Sequence, residues 1–450
     1  MSKNIRILRW IEKFSGSVFT VILFFVLVSL NAQPPSIEWQ KTIGGTDLDK
    51  LRAVEATEDG GFILGGFSSS NKSGEKSEDS KGGGADLWVV KLDAGGNILW
   101  QKTIGGDGYE ELHNISQTTD GGYILGAFSN SGISGDKTEV NMGGWDYWVI
   151  KLDANGAILW QNTIGGSGND LLYYGVQQTR DGGYILGGYS SSDISGDKSL
   201  SSYGSEDYWV VKLNHQGAIE WQKTYGGTGS DQLMNLDLSD DNGYILSGYS
   251  NSDISGNKTE NGRGGWDYWV VKIDSSGMIQ WQKTIGGEGD DLPFPIQQTY
   301  DAGYIVAGHS LSGISGNKTT DNFGEADVWV VKMDKDGEVL WQKNFGGNKR
   351  DGIISLKQTT EGGYLLGAYS GSGISGNKTT INYGMDDCWL IKLDSHGNSE
   401  WQKSIGGSGS EYILELDLTK EGVSSLELFL TRILRESNPR IVGEPGTTGP

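Results

Sequence analysis

The dipeptide Trp-Gln recurs at Trp39, Trp100, Trp160, Trp221, Trp281, Trp341 and Trp401, always 60 or 61 residues apart. A second tryptophan keeps the same period at Trp88, Trp148, Trp209, Trp269, Trp329 and Trp389. Such regularity means that one supersecondary unit is copied and stacked, so the 450 residues make one periodic architecture rather than three unrelated domains.

One copy, residues 166–227, divides into four strands by turn chemistry and alternation. Strand A is LLYYGVQQT (171–179), closed by Arg-Asp-Gly-Gly, a hairpin turn of the Asp-Gly kind. Strand B, YILGGYS from Tyr184, is apolar on both faces, and a long loop separates it from strand C, DYWVVKL from Asp207. The turn Asn-His-Gln-Gly leads to strand D, AIEWQKTYGG, which alternates apolar and polar residues as an outermost strand should. Four antiparallel strands graded from buried to half exposed describe a β-propeller blade. A linear solenoid is the alternative, but each unit is about one blade long and no atypical polar cap precedes the first repeat. The expected fold is all-β: a β-propeller of four-stranded antiparallel blades, with six complete repeats and an incomplete seventh. That seventh would hold a lone D strand at 37–43 and an A strand near 412–418.

Composition agrees with short strands and tight turns: 72 glycines, 16 tryptophans and an apolar fraction of only 36%. The single Cys388 excludes an intrachain disulfide, leaving packing or bound ions to stabilise the chain. Residues 1–32 read as a secretory signal peptide, with a basic start (Lys3, Arg6, Arg9, Lys13) and an apolar run from Val18, too short for a comfortable membrane span. Its removal takes away four basic residues and one acidic one, so the formal charge of −22 becomes −25. A chain so acidic is a poor partner for nucleic acid or an anionic membrane surface.

The phrase DYWVVKLDANGAILWQNTIGGSGNDLLYYGVQQTRDGGYILGGYS, pieced from the repeats, resembles the SBBP class of bacterial β-propeller repeats, and the resemblance covers 36–422. The Trp-Gln-Lys-Thr and Ser-Gly-Asn-Lys variants resemble secreted repeat proteins of Bacteroidetes-type bacteria. The resemblance implies a propeller secreted to, or displayed on, a bacterial surface; members of the class mostly lack an assigned activity.

The pattern breaks after Gly422, where EGVSSLELFLTRIL stands in place of a repeat such as EGGYLLGAYSGSGI. Read one nucleotide earlier, permitted codons for 423–433 spell Gly-Phe-Ile-Phe-Gly-Ala-Phe-Ser-Asn-Ser-Asp, the B strand of another blade. The expected organisation is therefore a signal peptide (1–32), propeller repeats (33–422) and a poorly ordered tail produced by a frame change (423–450).

The long B to C loops and the D to A links open on one face, which is the functional candidate. Each link is followed by an acid: Asp49, Glu110, Asp170, Asp231, Asp291, Asp351 and Glu411. Such a ring could hold Ca²⁺ or a cationic ligand, but identical use in every repeat favours a structural role in each turn. Asp193, Ser195 and Asp197 show the alternating oxygens of a calcium loop; the missing glycine at the sixth place and glutamate at the twelfth favour an ordered polar loop. Asp86, Asp146, Asp207, Asp267, Asp327 and Asp387 precede the core tryptophans and read as strand caps. Trp145 and Trp266 fall in the loops of only two repeats, so as exposed aromatics they are the candidates for stacking on a sugar or anchoring a partner. Enzyme chemistry finds little support: His113, His215, His309 and His396 share no repeat position, and no phosphate loop or nucleophile elbow is present. The expectation is a non-catalytic interaction, adhesion or ligand-binding module, its partner a glycan or cell-surface protein and no cofactor required. A structural repeat without a ligand is the second reading, and a carbohydrate-active enzyme the third.

Overall fold

Strands B and C of each repeat lack any polar face, so they must lie inside a stack of sheets, and the computed structural model places them there. It describes residue 34, residues 40–173, 175–418 and, for the backbone, 426–433. The described residues form six antiparallel sheets, each joined in the order A-B-C-D. Blade four is typical: Asp231–Leu238, Tyr244–Ser250, Asp267–Ile273 and Ile279–Ile285. Strands B and C are buried along their whole length, while D is exposed or half-buried until its last two residues. Among the described residues there is no helix, and none long and apolar enough to cross a membrane.

The A strands of successive blades lie beside one another, so they form the inner ring of a β-propeller. A seventh sheet completes the ring: its strand Ser410–Leu418 lies against Asp351–Gln358 on one side and Asp49–Ala56 on the other. It has two described strands, the second being Leu426–Ile433. The tail expected to be poorly ordered thus supplies a strand at the B position. Leu418 pairs with Leu426, whereas Gln358 of blade six pairs with Tyr364, so the connection is two residues longer. The expected D strand at 37–43 is not bordered by a partner at 40–43, which are unpaired, and 37–39 lie outside the described residues, as does 1–32.

Strand A of blade three departs from the expected continuous run: it is split into Asp170–Leu171 and Val176–Gln178. The 61-residue step from Trp160 to Trp221 accounts for this, because the extra residue falls here and one strand cannot keep register with Tyr184–Ser190 through it.

The two tryptophan registers do different work. The C-strand tryptophans face the preceding blade: Trp148 packs with Ile63, Leu87 and Val89, and Trp148, Trp209, Trp269, Trp329 and Trp389 are fully buried. Each removes ~150–250 Å² from water, worth roughly 4–6 kcal/mol at ~25 cal/mol per Å² before entropy. Trp88 keeps 7% exposure, since the sheet on its side is the two-stranded seventh. The D-strand tryptophans lean on the C to D turn of the next blade. Gly217 must be glycine twice over: its φ is +87°, and a β-carbon would meet the Trp160 ring at 3.1 Å. The glutamine after each D-strand tryptophan ties two elements together. Gln222 accepts from Trp209 Nε1 (3.1 Å) and donates to the Asp197 carbonyl (2.6 Å). Trp-Gln therefore recurs because tryptophan seals one blade to the next while glutamine holds the long loop to the sheet.

Candidate functional site

The acidic residue after each link closes its own turn. Asp231 Oδ2 accepts from Gly227 N and from Ser252 Oγ, both at 2.8 Å; Asp170, Asp291 and Asp351 repeat the pattern at 2.7–2.9 Å. Glu110 takes Gly106 N (2.9 Å) and the hydroxyls of Ser129 and Ser131. Asp49 and Glu411 accept from Gly45 N (2.6 Å) and Gly407 N (3.0 Å). These carboxylates are bound to backbone and serine within their own blade, the geometry of a structural staple.

The strand-capping aspartates lie next to them, wholly buried. Asp267 Oδ2 accepts from Arg263 N at 2.6 Å, while its Oδ1 has no hydrogen-bond partner among the described residues. A β-carbon at Gly286 would meet that oxygen at 1.8 Å, so the first glycine of the link makes room for it. Burial, reinforced by the neighbouring Asp291 carboxylate, pushes Asp267 up to about 7; burial and Asp231 do the same for Asp207.

Ser195 and Asp197 do not gather around a common centre. Ser195 Oγ accepts from Ser167 N (2.8 Å) and bonds the Asp193 carbonyl (3.0 Å), and Asp197 Oδ2 lies 3.4 Å from Gly165 N. Among the described residues no group of three or more His, Cys, Asp or Glu side chains is arranged to hold a metal. The lysine of the same loop motif is buried: Lys198 Nζ sits 5.3 Å from the Trp209 ring centre and donates to Thr224 Oγ1 at 3.1 Å. Its cation packs on the indole face, as do those of Lys258, Lys318 and Lys378 on theirs.

Trp145 and Trp266, expected as exposed aromatics, are half-buried. Trp145 meets Tyr109 and Phe128 edge-on, with ring centres 5.6 and 5.2 Å away; Trp266 meets Tyr249 at 5.0 Å. The correction has a simple cause: their covering rings come from strand B and, for Trp145, also from the link before strand A, distant in sequence. They belong to a larger aromatic belt with Phe128, Tyr173, Tyr189, Met234, Tyr249 and Phe294, drawn from blades two to five. Buried His113 joins it, stacked 5.3 Å from Phe128 with Nε2 3.0 Å from Glu111 Oε1. Beside blade one the belt turns cationic: Lys50 and Arg52 stand over the Phe67 ring at 5.5 and 5.4 Å, and Arg52 pairs with Glu111.

Most belt residues escape a motif search, yet the sequence carries a signal for them. Strands B, C and D hardly change from blade to blade, but the second and fourth places of strand A do: Lys50 and Arg52, Glu111 and His113, Leu171 and Tyr173, Gln232 and Met234, Leu292 and Phe294, Gly352 and Ile354. Both places lie near the loop-face end of the inner ring. Around the same face stand Ile133, Ile194, Ile254, Ile314 and Ile374, each 59–68% exposed.

No family model matches the chain. It is 23% identical over 192 residues to the regulatory protein FlaEY of Caulobacter vibrioides, covering 41% of this chain and 20% of the relative. It is 21% identical over 474 aligned positions to an uncharacterised WD repeat-containing protein of Acanthamoeba polyphaga mimivirus, covering 81% of this chain and 34% of the relative. The chain thus spans between a fifth and about a third of the curated relatives it matches. Among solved structures, the Neurospora crassa Pan2 WD40 domain is similar with a TM-score of 0.45 and 10% identity, covering 83% of each chain. Kuenenia stuttgartiensis hydrazine synthase gives 0.45 at 12% identity, covering 87% of this chain and 99% of that one. BamB from Moraxella catarrhalis gives 0.36 at 14%, covering 84% and 94%. At such values neither chemistry nor partners carry over to this chain.

Proposed function

We propose that this propeller is a non-catalytic interaction module whose loop face, centred on the aromatic belt, grips a macromolecular partner at a bacterial surface. The observation that carries the reading is the concentration of blade-to-blade variation at the second and fourth places of strand A, in an otherwise repetitive chain. A scaffold needs those places only filled; a binding surface needs them different. The exposed isoleucines, one per blade from the second to the sixth, add apolar surface to the same face. Cys388 supports the non-catalytic part: it is fully buried, and burial pushes its thiol far up, away from a reactive thiolate. Export to that surface rests on the leader-like 1–32 and on the likeness to secreted SBBP-type repeats.

The test is binding of the labelled protein to intact bacterial cells, read by flow cytometry. Trp145→Ala with Trp266→Ala is expected to reduce binding roughly ten-fold, in the range of aromatic anchors at interfaces. Undiminished binding by a folded double variant would remove the belt from the interface.

A further inference from the structure

At the opposite, tight-turn face the seams between blades are not closed. A cavity of about 550 Å³ opens between blades one and two, lined in part by Asp59, Lys91, Trp100, Gln117, Tyr123 and Asn155. Another, of about 400 Å³, opens between blades three and four, with Asp181, Lys212, Trp221, Asn242, Tyr244 and Ser276 in its wall. The two are built from corresponding parts of the repeat, so they are two copies of one site. In each, a D-strand tryptophan meets the first tyrosine of the next blade's strand B, with ring centres 5.8 and 6.2 Å apart. In each, an aspartate of the A to B turn is held by a buried lysine at 2.9 Å while more than half of its carboxyl side chain stays exposed.

We propose that these seams are repeated sites for a neutral sugar unit of a glycan. Volumes of ~300–1,000 Å³ suit small-molecule sites. The half-buried indole and the tyrosine ring offer an apolar wall for the C–H face of a pyranose. The fixed carboxylate accepts hydroxyl protons, and Asn155 and Gln117, or Asn242 and Ser276, offer further polar groups at the rim. Charged sugars fit less well: Lys91 is already paired with Asp59, Lys212 with both Asp181 and Glu220, Glu58 lines the first cavity, and a net charge of −22 repels anions. The same Trp-Tyr pairing recurs as Trp160 with Tyr184, Trp281 with Tyr304 and Trp341 with Tyr364. The turn tips beside them vary: Ala154-Asn155, His215-Gln216, Ser275-Ser276, Lys335-Asp336 and Ser395-His396. A common platform with variable rims is a multivalent arrangement, in which weak single sites gain ~10²–10⁴ in avidity on a repeating polymer. The site lies on the other face from the aromatic belt and stands independently of it.

The experiment applies the intact chain to a printed array of neutral and charged glycans. The expected result is binding to neutral glycans that falls roughly ten-fold or more in Ala154→Trp with Ser275→Trp, which fill two seams from exposed turn tips and leave the thermal midpoint near that of the parent. Should that variant not fold, Asn155→Ala with Ser276→Ala removes only rim groups and is expected to weaken binding a few-fold. A parent that binds no neutral glycan, or prefers charged ones, overturns the proposal. So does full binding by a folded seam variant, or loss in Trp145→Ala with Trp266→Ala alone.

Discussion

Two rings of aspartates sit at opposite ends of the blades and behave in opposite ways. At the loop face, Asp146, Asp207, Asp267 and Asp327 are buried beside a second carboxylate, and burial with that neighbour pushes them up to about 6 or 7. At the turn face, burial also pushes upward on Asp59, Asp120 and Asp181, but a threonine hydroxyl, a glycine N–H and a lysine outweigh it and hold them at about 2. Both rings recur every 60 or 61 residues, and recurrence alone distinguishes neither. The difference teaches that partners, and not burial alone, decide whether a repeated carboxylate stores charge or a proton.

The turn-face ring breaks most severely when its partner charge is removed. Lys151 Nζ is buried, with Asp120 Oδ1 and the Leu152 carbonyl at 3.0 and 2.9 Å. Asp120→Ala leaves that ammonium with the carbonyl and water, and also frees the Thr118 hydroxyl and Gly122 N–H. The expected loss is about 2 kcal/mol in urea unfolding, less than the ~3–5 kcal/mol of a fully buried pair because the Asp120 carboxylate is half in water. A loss below ~0.5 kcal/mol would make the ring an ordinary surface pairing.

The loop-face ring predicts a slope of the other sign. Asp207 keeps its proton in the folded protein up to about pH 7, whereas an ordinary aspartate loses it near 3.8. Between those values the folded state binds more protons, so stability falls as pH rises from about 4 to about 7. Asp120, held at about 2, contributes stability that is present above 3.8 and is lost as pH falls towards 2. Maximum stability is therefore expected near pH 4–5, and the thermal midpoint should be higher at pH 5 than at pH 8. Asp207→Asn, neutral at every pH, should add stability at both pH values and more at pH 8 than at pH 5, because only part of the loss that begins near pH 4 is present at pH 5. An unchanged midpoint between the two pH values would mean that the lysine of the loop, Lys198, compensates the paired carboxylates in full.

The fold was legible in the sequence for reasons specific to each strand. YILGGYS and DYWVVKL have no polar face to give to water, and Asp-Gly-Gly fixes the turn before the first of them. Strand A of blade three was not, because its extra residue is visible only as one 61-residue step. The burial of Lys198 was not legible either: lysine rarely lies 1% exposed, and its cover comes from a tryptophan eleven positions on. The exposure expected for Trp145 failed because Tyr109 and Phe128 reach it only once the sheet has formed. The turn-face seams belong to no single repeat; they exist only between units, so no reading of one unit contains them.

The smallest effect separates a loop-face staple from an ion site. If Asp193, Ser195 and Asp197 held Ca²⁺, binding to the folded state alone would raise stability by RT ln(1 + [L]/Kd), about 2.7 kcal/mol at a hundred-fold excess over Kd. The hydroxyl of Ser195 already takes Ser167 N, and Asp197 Oδ2 faces Gly165 N, so an ion would have to displace both bonds. Each neutral bond contributes only ~0.5–1.5 kcal/mol net, but their loss strips two backbone donors of the link and opens the turn that Asp170 closes. The thermal midpoint is therefore expected to stay within about 1 °C between excess Ca²⁺ and a chelator, far below the shift such binding would produce. A rise of several degrees that disappears in Asp197→Asn would return this loop to the calcium class and leave the staple as the geometry of its empty state.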